Sequence, residues 1–160
     1  MIIIWILLIL LFVSFGMIVF IGAPFVPTDN QAIEGIFSVL KIRKGSTVVD
    51  LGSGDGRVLM SASKHGYKAI GYELNPVLAL VSKYRLREYP KAKVVITDYW
   101  KADLSKADVV FIFSAAPYMH RLNEKFKNEL KPGTVVISYA FSFESKKIDQ
   151  KIGPANIYIF

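Results

Sequence analysis

The sequence has no cysteine and only two histidines among its 160 residues. A chain without cysteine can form no disulfide, no thiolate nucleophile and no cysteine-ligated metal site. The two histidines, His65 and His120, do not belong to any cluster with the spacing of metal ligands. We interpret His65 as a surface residue in the last turn of a helix and His120 as a structural residue. The sequence therefore predicts no metal.

Acidic residues are scarce, with 13 against 20 basic ones, and charge is absent from residues 2–21. This run, IIIWILLILLFVSFGMIVFI, has Ser14 as its one polar side chain. At about 1.5 Å per residue, twenty helical residues span about 30 Å, the thickness of a bilayer core. We therefore predict a transmembrane helix over residues 2–21. A cleaved signal peptide is the alternative, but the run is too long, no basic residue precedes it and no small-x-small cleavage site is evident.

The net charge of +7 belongs entirely to residues 22–160, which we predict to be a single domain. Lys41, Arg43 and Lys44 follow the apolar run, and the positive-inside rule then favours a domain that faces the cytoplasm. The linker GAPFVP (22–27) has two prolines that stop the helix, and its six residues reach at most about 20 Å. The domain should therefore lie close to the bilayer. Its charge would attract anionic lipid or nucleic acid.

Strand and helix patterns alternate along the rest of the chain. Thr28 and Gln31 predict a capping box at the start of a first helix, with Ile33, Ile36, Phe37 and Leu40 as its apolar stripe. Further helices should begin at Arg57, Pro76 and Pro117. Predicted strands cover residues 47–52, 69–74, 93–98, 107–115, 134–141 and 156–160.

Several of these strands are apolar throughout, which is typical of a parallel sheet covered by helices on both faces. The predicted fold is therefore an α/β domain with a doubly wound, mostly parallel sheet. About twenty residues follow the fifth strand, enough for one more strand but not for a hairpin. We accordingly predict six strands.

The segment VVDLGSGDGR (48–57) places a glycine-rich turn directly after the first strand. In doubly wound sheets, ligands bind at the carboxyl ends of the strands, where Asp50, Asp55, Glu73 and Asp98 also fall. Helix capping would account for Asp50 and Asp55, but it accounts less well for Glu73 and Asp98, because each ends a strand. These acids predict a binding site with a negative potential.

The charge of this site argues against a phosphate ligand. A pyrophosphate would be repelled by the carboxylates, and Arg57 stands where a dinucleotide motif has its third glycine. S-adenosylmethionine suits the site better, because it has no phosphate and its sulfonium and ammonium groups outweigh its one carboxylate, giving a net charge of about +1. Glycines at 52, 54 and 56 would let the backbone approach it closely. Glu73 could accept the ribose hydroxyls and Asp98 the adenine amino group, with Tyr99 or Trp100 against the ring.

These residues resemble the cofactor-binding set of class I (seven-strand) S-adenosylmethionine-dependent methyltransferases. A narrower group is also similar: the membrane-anchored protein lysine methyltransferases that modify the adenine nucleotide translocase and the ATP synthase c-subunit. The similarity covers almost the whole chain, including an apolar segment before PFVPT. Its ordered segments are PFVPT (24–28), VVDLGSGDGRV (48–58), GYELNPVL (71–78), DYWKADLS (98–105) and VVFIFSAAPYM (109–119).

The resemblance implies that residues 24–28 lie against the cofactor as a lid. It assigns the methionine end to Asp50 and the glycine loop, the ribose to Glu73, and the adenine to Asp98. The implied cofactor-binding residues are Phe25, Pro27, Thr28, Asp50, Gly52, Ser53, Gly54, Gly56, Glu73, Leu74, Asp98 and Tyr99.

The acceptor is expected to be a lysine of a membrane or membrane-proximal protein. Its amine must first lose a proton, through desolvation or a nearby hydrogen-bond acceptor. Ser114 and Tyr118, beyond the fourth strand, are candidates for positioning it, although they could equally be a strand-end cap and a surface aromatic. Enzymes that methylate adenine carry N/D-P-P-Y/F here, and SAAPY (114–118) keeps only the last two residues, which disfavours nucleic acid. A lipid or small apolar acceptor, and a cofactor-binding membrane module without turnover, remain open.

Overall fold

The computed structural model describes residues 2–6, 9 and 26–160. Residues 2–6 are helical. The predicted membrane helix over residues 2–21 lies mostly outside the described residues, and so does Phe25 of the predicted lid. Among the residues that are described, no helix is both long enough and apolar enough to cross a membrane.

Residues 26–160 form alternating strands and helices close to the predicted bounds. The helices are α1 (Asn30–Val39), α2 (Arg57–Lys64), α3 (Pro76–Arg85) and α4 (Ala116–Glu129), with 3-10 turns at Leu86–Glu88 and Tyr99–Lys101. The strands are β1 (Thr47–Leu51), β2 (Lys68–Glu73), β3 (Ala92–Ile96), β4 (Val109–Ile112), β5 (Val135–Tyr139), β6 (Gln150–Ile152) and β7 (Ala155–Ile159).

The strands form one sheet in the order β3-β2-β1-β4-β5-β7-β6. The five strands β1 to β5 are parallel, whereas β7 runs antiparallel to β5 and forms a hairpin with β6. The strand order reverses between β1 and β4, so the carboxyl ends of these two strands flank the crevice in which such folds bind ligands. The predicted α/β class and mostly parallel sheet are confirmed.

The prediction of six strands is wrong, because the chain after β5 makes a hairpin and completes seven. Residues 150–152 pair with residues 155–157 across a turn at Gly153 and Pro154. This edge strand is short and largely exposed, with the sequence Gln-Lys-Ile. Such a segment has no apolar alternation, and its backbone pairing with β7 alone makes it a strand.

The predicted cap of the first helix is also wrong by one residue. Asp29 is the N-cap of α1, and its Oδ1 accepts a hydrogen bond from the amide of Ala32 at 2.8 Å. Thr28 is buried instead, and its carbonyl accepts a hydrogen bond from Arg57. The predicted apolar stripe of this helix is confirmed, with Ile33, Ile36, Phe37 and Leu40 all in the core.

Two hydrophobic layers sandwich the sheet, as the apolar strands predict. Alternate residues of β1, such as Val48 and Val49, face opposite layers. The helices α1, α2 and α3 cover the first layer, while α4 covers the second with Met119, Leu122 and Phe126. This double cover holds the parallel strands in register and brings their carboxyl ends to a common edge.

Candidate functional site

The loop between β1 and α2 depends on glycines in the left-handed region. Gly52 and Gly56 both have φ of +83°. A Cβ on Gly52 would meet nothing within 4 Å, whereas one on Gly56 would lie 2.4 Å from Oγ of Ser82 on α3. The two glycines therefore have different roles. Gly52 faces open space where a ligand can approach the backbone, and Gly56 lets α2 pack closely on α3.

Glu73, the last residue of β2, has a carboxylate in a fixed orientation. The residue is buried, Oε2 accepts a hydrogen bond from the amide of Gly54 at 2.7 Å, and Oε1 accepts one from the amide of Asn75 at 2.8 Å. Each carboxylate oxygen can accept more than one hydrogen bond. Glu73 is therefore held beside the glycine loop with capacity to accept further hydrogen bonds from a ligand's hydroxyl groups.

Asp50 lies near the carboxyl end of β1 and is also buried. Burial raises the pKa of this carboxyl well above its usual range, and the charges of Glu73 and Asp55 raise it further. All three influences oppose a negative charge on Asp50. A cationic ligand would reverse that balance, because an ammonium close to a buried carboxylate favours its ionised form.

The negative charge of Asp55 is largely neutralised by two arginines, so it contributes less to the site than the sequence interpretation assigned to it. Its carboxylate accepts hydrogen bonds from Arg57, with Nη2 at 2.8 Å and Nε at 3.0 Å, and also from Arg85 on α3. Burial alone would raise the pKa of Asp55, but the two guanidiniums lower it below its usual value. The sign of the potential is set by Asp50 and Glu73, and by Asp98 at the neighbouring strand end.

Arg57 also connects the glycine loop to the segment that precedes α1. Its Nη1 donates a hydrogen bond to the carbonyl of Thr28 at 2.7 Å. We call Asp55, Arg57 and Arg85, together with the carbonyl of Thr28, the arginine clamp. None of its contacts was predicted from the sequence. The sequence feature that could have indicated the clamp is the acid–base pair Asp55 and Arg57, two residues apart at the start of a helix.

Asp98 follows β3 and caps the turn Tyr99–Lys101, with Oδ1 accepting a hydrogen bond from the amide of Trp100 at 3.0 Å. The rings of Tyr99 and Trp100 have centroids 4.9 Å apart. An aromatic pair beside a carboxylate at a strand end is suited to a flat base with an exocyclic amino group.

Tyr99 also extends towards the proposed acceptor residues. Burial raises the pKa of its phenol, the nearby Ser114 hydroxyl partly lowers it, and Tyr118 raises it further. Tyr118 lies on the first turn of α4 and is largely exposed. The structure thus brings Tyr99, Ser114 and Tyr118 together beyond the end of β4.

Two aromatic residues missing from the sequence prediction lie on the same face of the sheet as Asp50. Asp50 pairs in register with Phe111, and Phe111 with Ile137. Phe113 and Tyr139 lie two residues further along these strands. Because side chains alternate between the two faces of a sheet, both lie on the same face as Asp50. Their rings are 4.9 Å apart. The period-two pattern of β4 and β5, read in register with β1, would have identified them.

The other predicted site residues are placed as follows. Ser53 has its hydroxyl buried against Gly71, where an added Cβ would lie 2.4 Å from Oγ, and its amide and carbonyl are hydrogen-bonded to Tyr72 and Gly56. Pro27 and Leu74 are exposed, and Thr28 is buried. Within the described part of the chain, no group of three histidine, aspartate or glutamate side chains is placed to hold a metal ion.

Comparison with known proteins identifies the family of this domain. The profile of the ANTKMT methyltransferase domain matches residues 50–150. The human lysine N-methyltransferase of the ATP synthase c-subunit is 43% identical over 123 residues, which cover 75% of this chain and 52% of the human protein. A protein-lysine N-methyltransferase of Saccharolobus islandicus is 34% identical over 125 residues, covering 74% of this chain and 76% of the relative.

Among solved structures, an RNA methyltransferase of Salinibacter ruber in complex with S-adenosyl-L-homocysteine superimposes with a TM-score of 0.76. It is 26% identical, and the match covers 84% of this chain and 92% of that one. The chain spans only about half to three fifths of the length of its first curated relatives. Because the profile match takes in more than half of this sequence, including Asp50, Glu73 and Asp98, the chain belongs to the ANTKMT methyltransferase domain family.

Proposed function

We propose that this chain binds S-adenosylmethionine and transfers its methyl group to a lysine of a membrane or membrane-proximal protein. The observation that carries the proposal is the Glu73 carboxylate, fixed by the amides of Gly54 and Asn75 beside the buried Asp50. This arrangement accepts hydroxyl groups and a cation and repels phosphate. The family membership and the lysine-directed relatives support the same function.

The chain's residues fit the cofactor from one end to the other. Asp50 would pair with the ammonium of the methionine moiety, Glu73 would accept the ribose hydroxyls, and Asp98 would accept the adenine amino group. Open space over Gly52 leaves room for the backbone to contact the methionine end. The Salinibacter ruber structure, with its bound S-adenosyl-L-homocysteine, supports the choice of ligand.

When bound, the cofactor supplies a methyl group on a positively charged sulfur. The lysine nitrogen forms a bond to the methyl carbon as the carbon–sulfur bond breaks, and the electron pair of that bond stays on sulfur. The protein must therefore align a neutral amine with the methyl group. Ser114 and Tyr118 would accept hydrogen bonds from the amine, while Phe113 and Tyr139 would exclude water and favour its neutral form.

The membrane location is part of the proposal and rests on the sequence. Residues 2–21 have the length and composition of a membrane helix, and residues 22–160 would form a catalytic domain tethered on the cytoplasmic side. Tethering raises the effective concentration of acceptors in or near the bilayer. A lysine close to the lipid surface is therefore the preferred substrate.

Transfer of a labelled methyl group tests this function. The full chain is incubated with methyl-labelled S-adenosylmethionine and native membranes that retain bound RNA, beside Glu73→Gln and the matched control Glu144→Gln, which alters an exposed glutamate. We expect label in a protein band and in its lysines, with the Glu73 variant strongly reduced and the control unchanged.

Label in the lipid and RNA fractions of the same incubation distinguishes the alternative functions. Label in the lipid extract would identify a lipid, and not a protein, as the acceptor. Label in RNA would favour the chemistry of the Salinibacter ruber enzyme, to which the structure is similar. Binding of the cofactor without any transfer would identify a non-catalytic module and overturn the proposed enzyme.

A further inference from the structure

The helix α3 is apolar on both of its faces. Its inner face buries Ala79 and Ser82 against the sheet and α2. Its outer face carries what we call the outer stripe: Val77, Leu80, Val81 and Tyr84, with exposed fractions of 61%, 61%, 43% and 64%. The spacing i, i+3, i+4, i+7 places all four on one side of the helix. Surface helices normally present polar residues there, and a contiguous apolar patch marks an interaction site.

Basic residues border the outer stripe. Residues 76–97 contain five basic side chains, at positions 83, 85, 87, 91 and 93, and one acidic side chain, Glu88. Of the basic residues, Arg85 is engaged by Asp55, and Lys93 falls on the sheet face opposite α3. We call the other three, Lys83, Arg87 and Lys91, the basic border. An apolar strip edged by lysine and arginine complements an anionic lipid surface.

Tyr84 and Arg87 form a pair suited to the boundary between lipid and water. The guanidinium carbon of Arg87 lies 3.7 Å from the centroid of the Tyr84 ring, and Nε donates a hydrogen bond to the carbonyl of Tyr84 at 3.0 Å. Tyrosine and arginine both combine an apolar body with a polar tip, which places them at membrane interfaces.

The first described residues before α1 lie next to the end of α3. The arginine clamp joins Arg85 at the end of α3 to Asp55, Arg57 and the carbonyl of Thr28. The chain therefore enters the domain beside the end of α3, a few residues after the uncharged run 2–21. A bilayer that held this run would lie within reach of the outer stripe.

We propose that the outer stripe of α3 is a contact surface for an anionic bilayer, with the basic border at the lipid phosphates. A second copy of this chain fits the surface less well, because two basic borders would face each other across the interface. This bilayer contact goes beyond the proposed function. It rests on the membrane location proposed there but not on methyl transfer, since none of the stripe or border residues belongs to the cofactor or acceptor site.

The absence of cysteine allows a direct test by spin labelling. Leu80→Cys and the control Asn128→Cys, on the exposed face of α4 across the sheet, are labelled in the full chain. Each is reconstituted into vesicles of phosphatidylcholine, with or without phosphatidylserine. Accessibility to oxygen and to a water-soluble nickel complex then reports the surroundings of each label. We expect the Leu80 label to report a lipid environment in the anionic vesicles, while the Asn128 label stays in water.

Charge reversal by Lys83→Glu and Arg87→Glu should reduce the ratio of lipid-exposed to water-exposed Leu80 label by roughly fivefold or more for each residue changed. A Leu80 label that remains in water in anionic vesicles would overturn the proposal. So would spin–spin coupling between Leu80 labels in detergent, which would show that a second copy covers the stripe. Protection that required an added protein acceptor would assign the surface to substrate binding and also refute the bilayer contact.

Discussion

At the scale of single residues, the buried carboxyl of Asp50 is the group from which the chemistry of the site follows. Burial and two neighbouring carboxylates raise its pKa, so the ligand-free protein holds it at a cost in stability. A ligand's ammonium would offset that cost. Glu73 contrasts with Asp50, because two backbone amides already stabilise its charge. In the proposed function, Asp50 would therefore bind a cation and Glu73 would orient hydroxyl groups.

The substitution Asp50→Asn should separate binding from stability. Without the carboxylate the ammonium loses its partner, so affinity for S-adenosylmethionine should fall by roughly 10- to 100-fold. The ligand-free variant should melt higher near neutral pH, by roughly 2–4 °C for each kcal/mol of relieved charge burial. Calorimetric titration measures the first effect and thermal unfolding the second. A variant that loses affinity and also melts lower would show that Asp50 is structural.

The raised pKa of Asp50 also predicts how binding depends on pH. Below that pKa the carboxyl is protonated and must lose its proton to pair with a cation, so affinity should increase as pH rises through it. Calorimetric titrations across the acid range should show this slope in the wild type and its loss in Asp50→Asn. Affinity that is independent of pH in the wild type would contradict the pairing.

The titration of Asp50 should also change the stability of the ligand-free protein, which should fall over the pH range in which affinity for the ligand rises. Folding raises the pKa of the Asp50 carboxyl. The stability that this group contributes is therefore present below its pKa in the unfolded chain and is lost as pH rises through its pKa in the folded protein. The gap in melting temperature between Asp50→Asn and the wild type should therefore widen towards neutral pH. A gap that is constant across this range would indicate a cause other than charge.

At the scale of elements, the arginine clamp joins three parts of the fold: the glycine loop, α3 and the segment before α1. Arg57→Ala would remove its contacts to Asp55 and to the carbonyl of Thr28. Because hydrogen bonds to charged, partly buried groups are stronger than exposed ion pairs, we expect a loss of about 1–3 kcal/mol in the free energy of unfolding, measured in urea.

An exposed ion pair provides the control for the clamp. Lys127 pairs with Glu124 at 2.9 Å, and both side chains are about half exposed. Lys127→Ala should change the free energy of unfolding by less than about 0.5 kcal/mol. Equal losses for the two variants would mean that the clamp contributes no more than a surface pair.

The elements also show which parts of the structure the sequence could predict. Strands β1, β4 and β5 are apolar on both faces, so their pattern predicted both the strands and the parallel sheet. Glu73 and Asp98 were predicted as site residues because each ends a strand. The hairpin strand β6 was missed since pairing rather than composition forms it. The role of Asp55 was misread because its partner Arg85 lies 30 residues away in sequence.

The aromatic residues beyond β4 and β5 should affect the acceptor more than the cofactor. Tyr139→Ala removes one wall of the aromatic pair with Phe113. If this pair desolvates the amine, kcat/KM for the acceptor should fall by roughly tenfold for each unit by which the amine's pKa rises back towards its usual value. Calorimetric titration should show affinity for S-adenosylmethionine within a factor of about two, because Tyr139 is not assigned to the cofactor. If kcat/KM for the acceptor and affinity for S-adenosylmethionine fell together, Tyr139 would instead contribute to the general stability of the fold.

At the scale of the whole molecule, three features favour a position of the domain at a lipid surface. The run 2–21 has no charge, and the net charge of +7 lies entirely in residues 22–160. The outer stripe adds an apolar face on the side where the chain enters the domain. Together they would fix the orientation of the catalytic domain as well as its distance from the membrane, and so limit which lysines it can reach.

This geometry predicts that the enzyme selects acceptors by height above the bilayer. In vesicles containing the full chain, a test membrane protein carries one lysine at increasing distances from its membrane span. A linker of six residues reaches at most about 20 Å, so methylation should be fast for lysines near the lipid surface and fall steeply beyond the reach of the tethered domain. Mass spectrometry of the methylated lysine measures the profile. A soluble peptide with the same local sequence, at equal bulk concentration, should react at least about tenfold more slowly, because it lacks the gain in effective concentration. If the soluble peptide reacted as fast as the membrane-bound lysine, selection would lie in the acceptor's sequence and the tether would have no part in it.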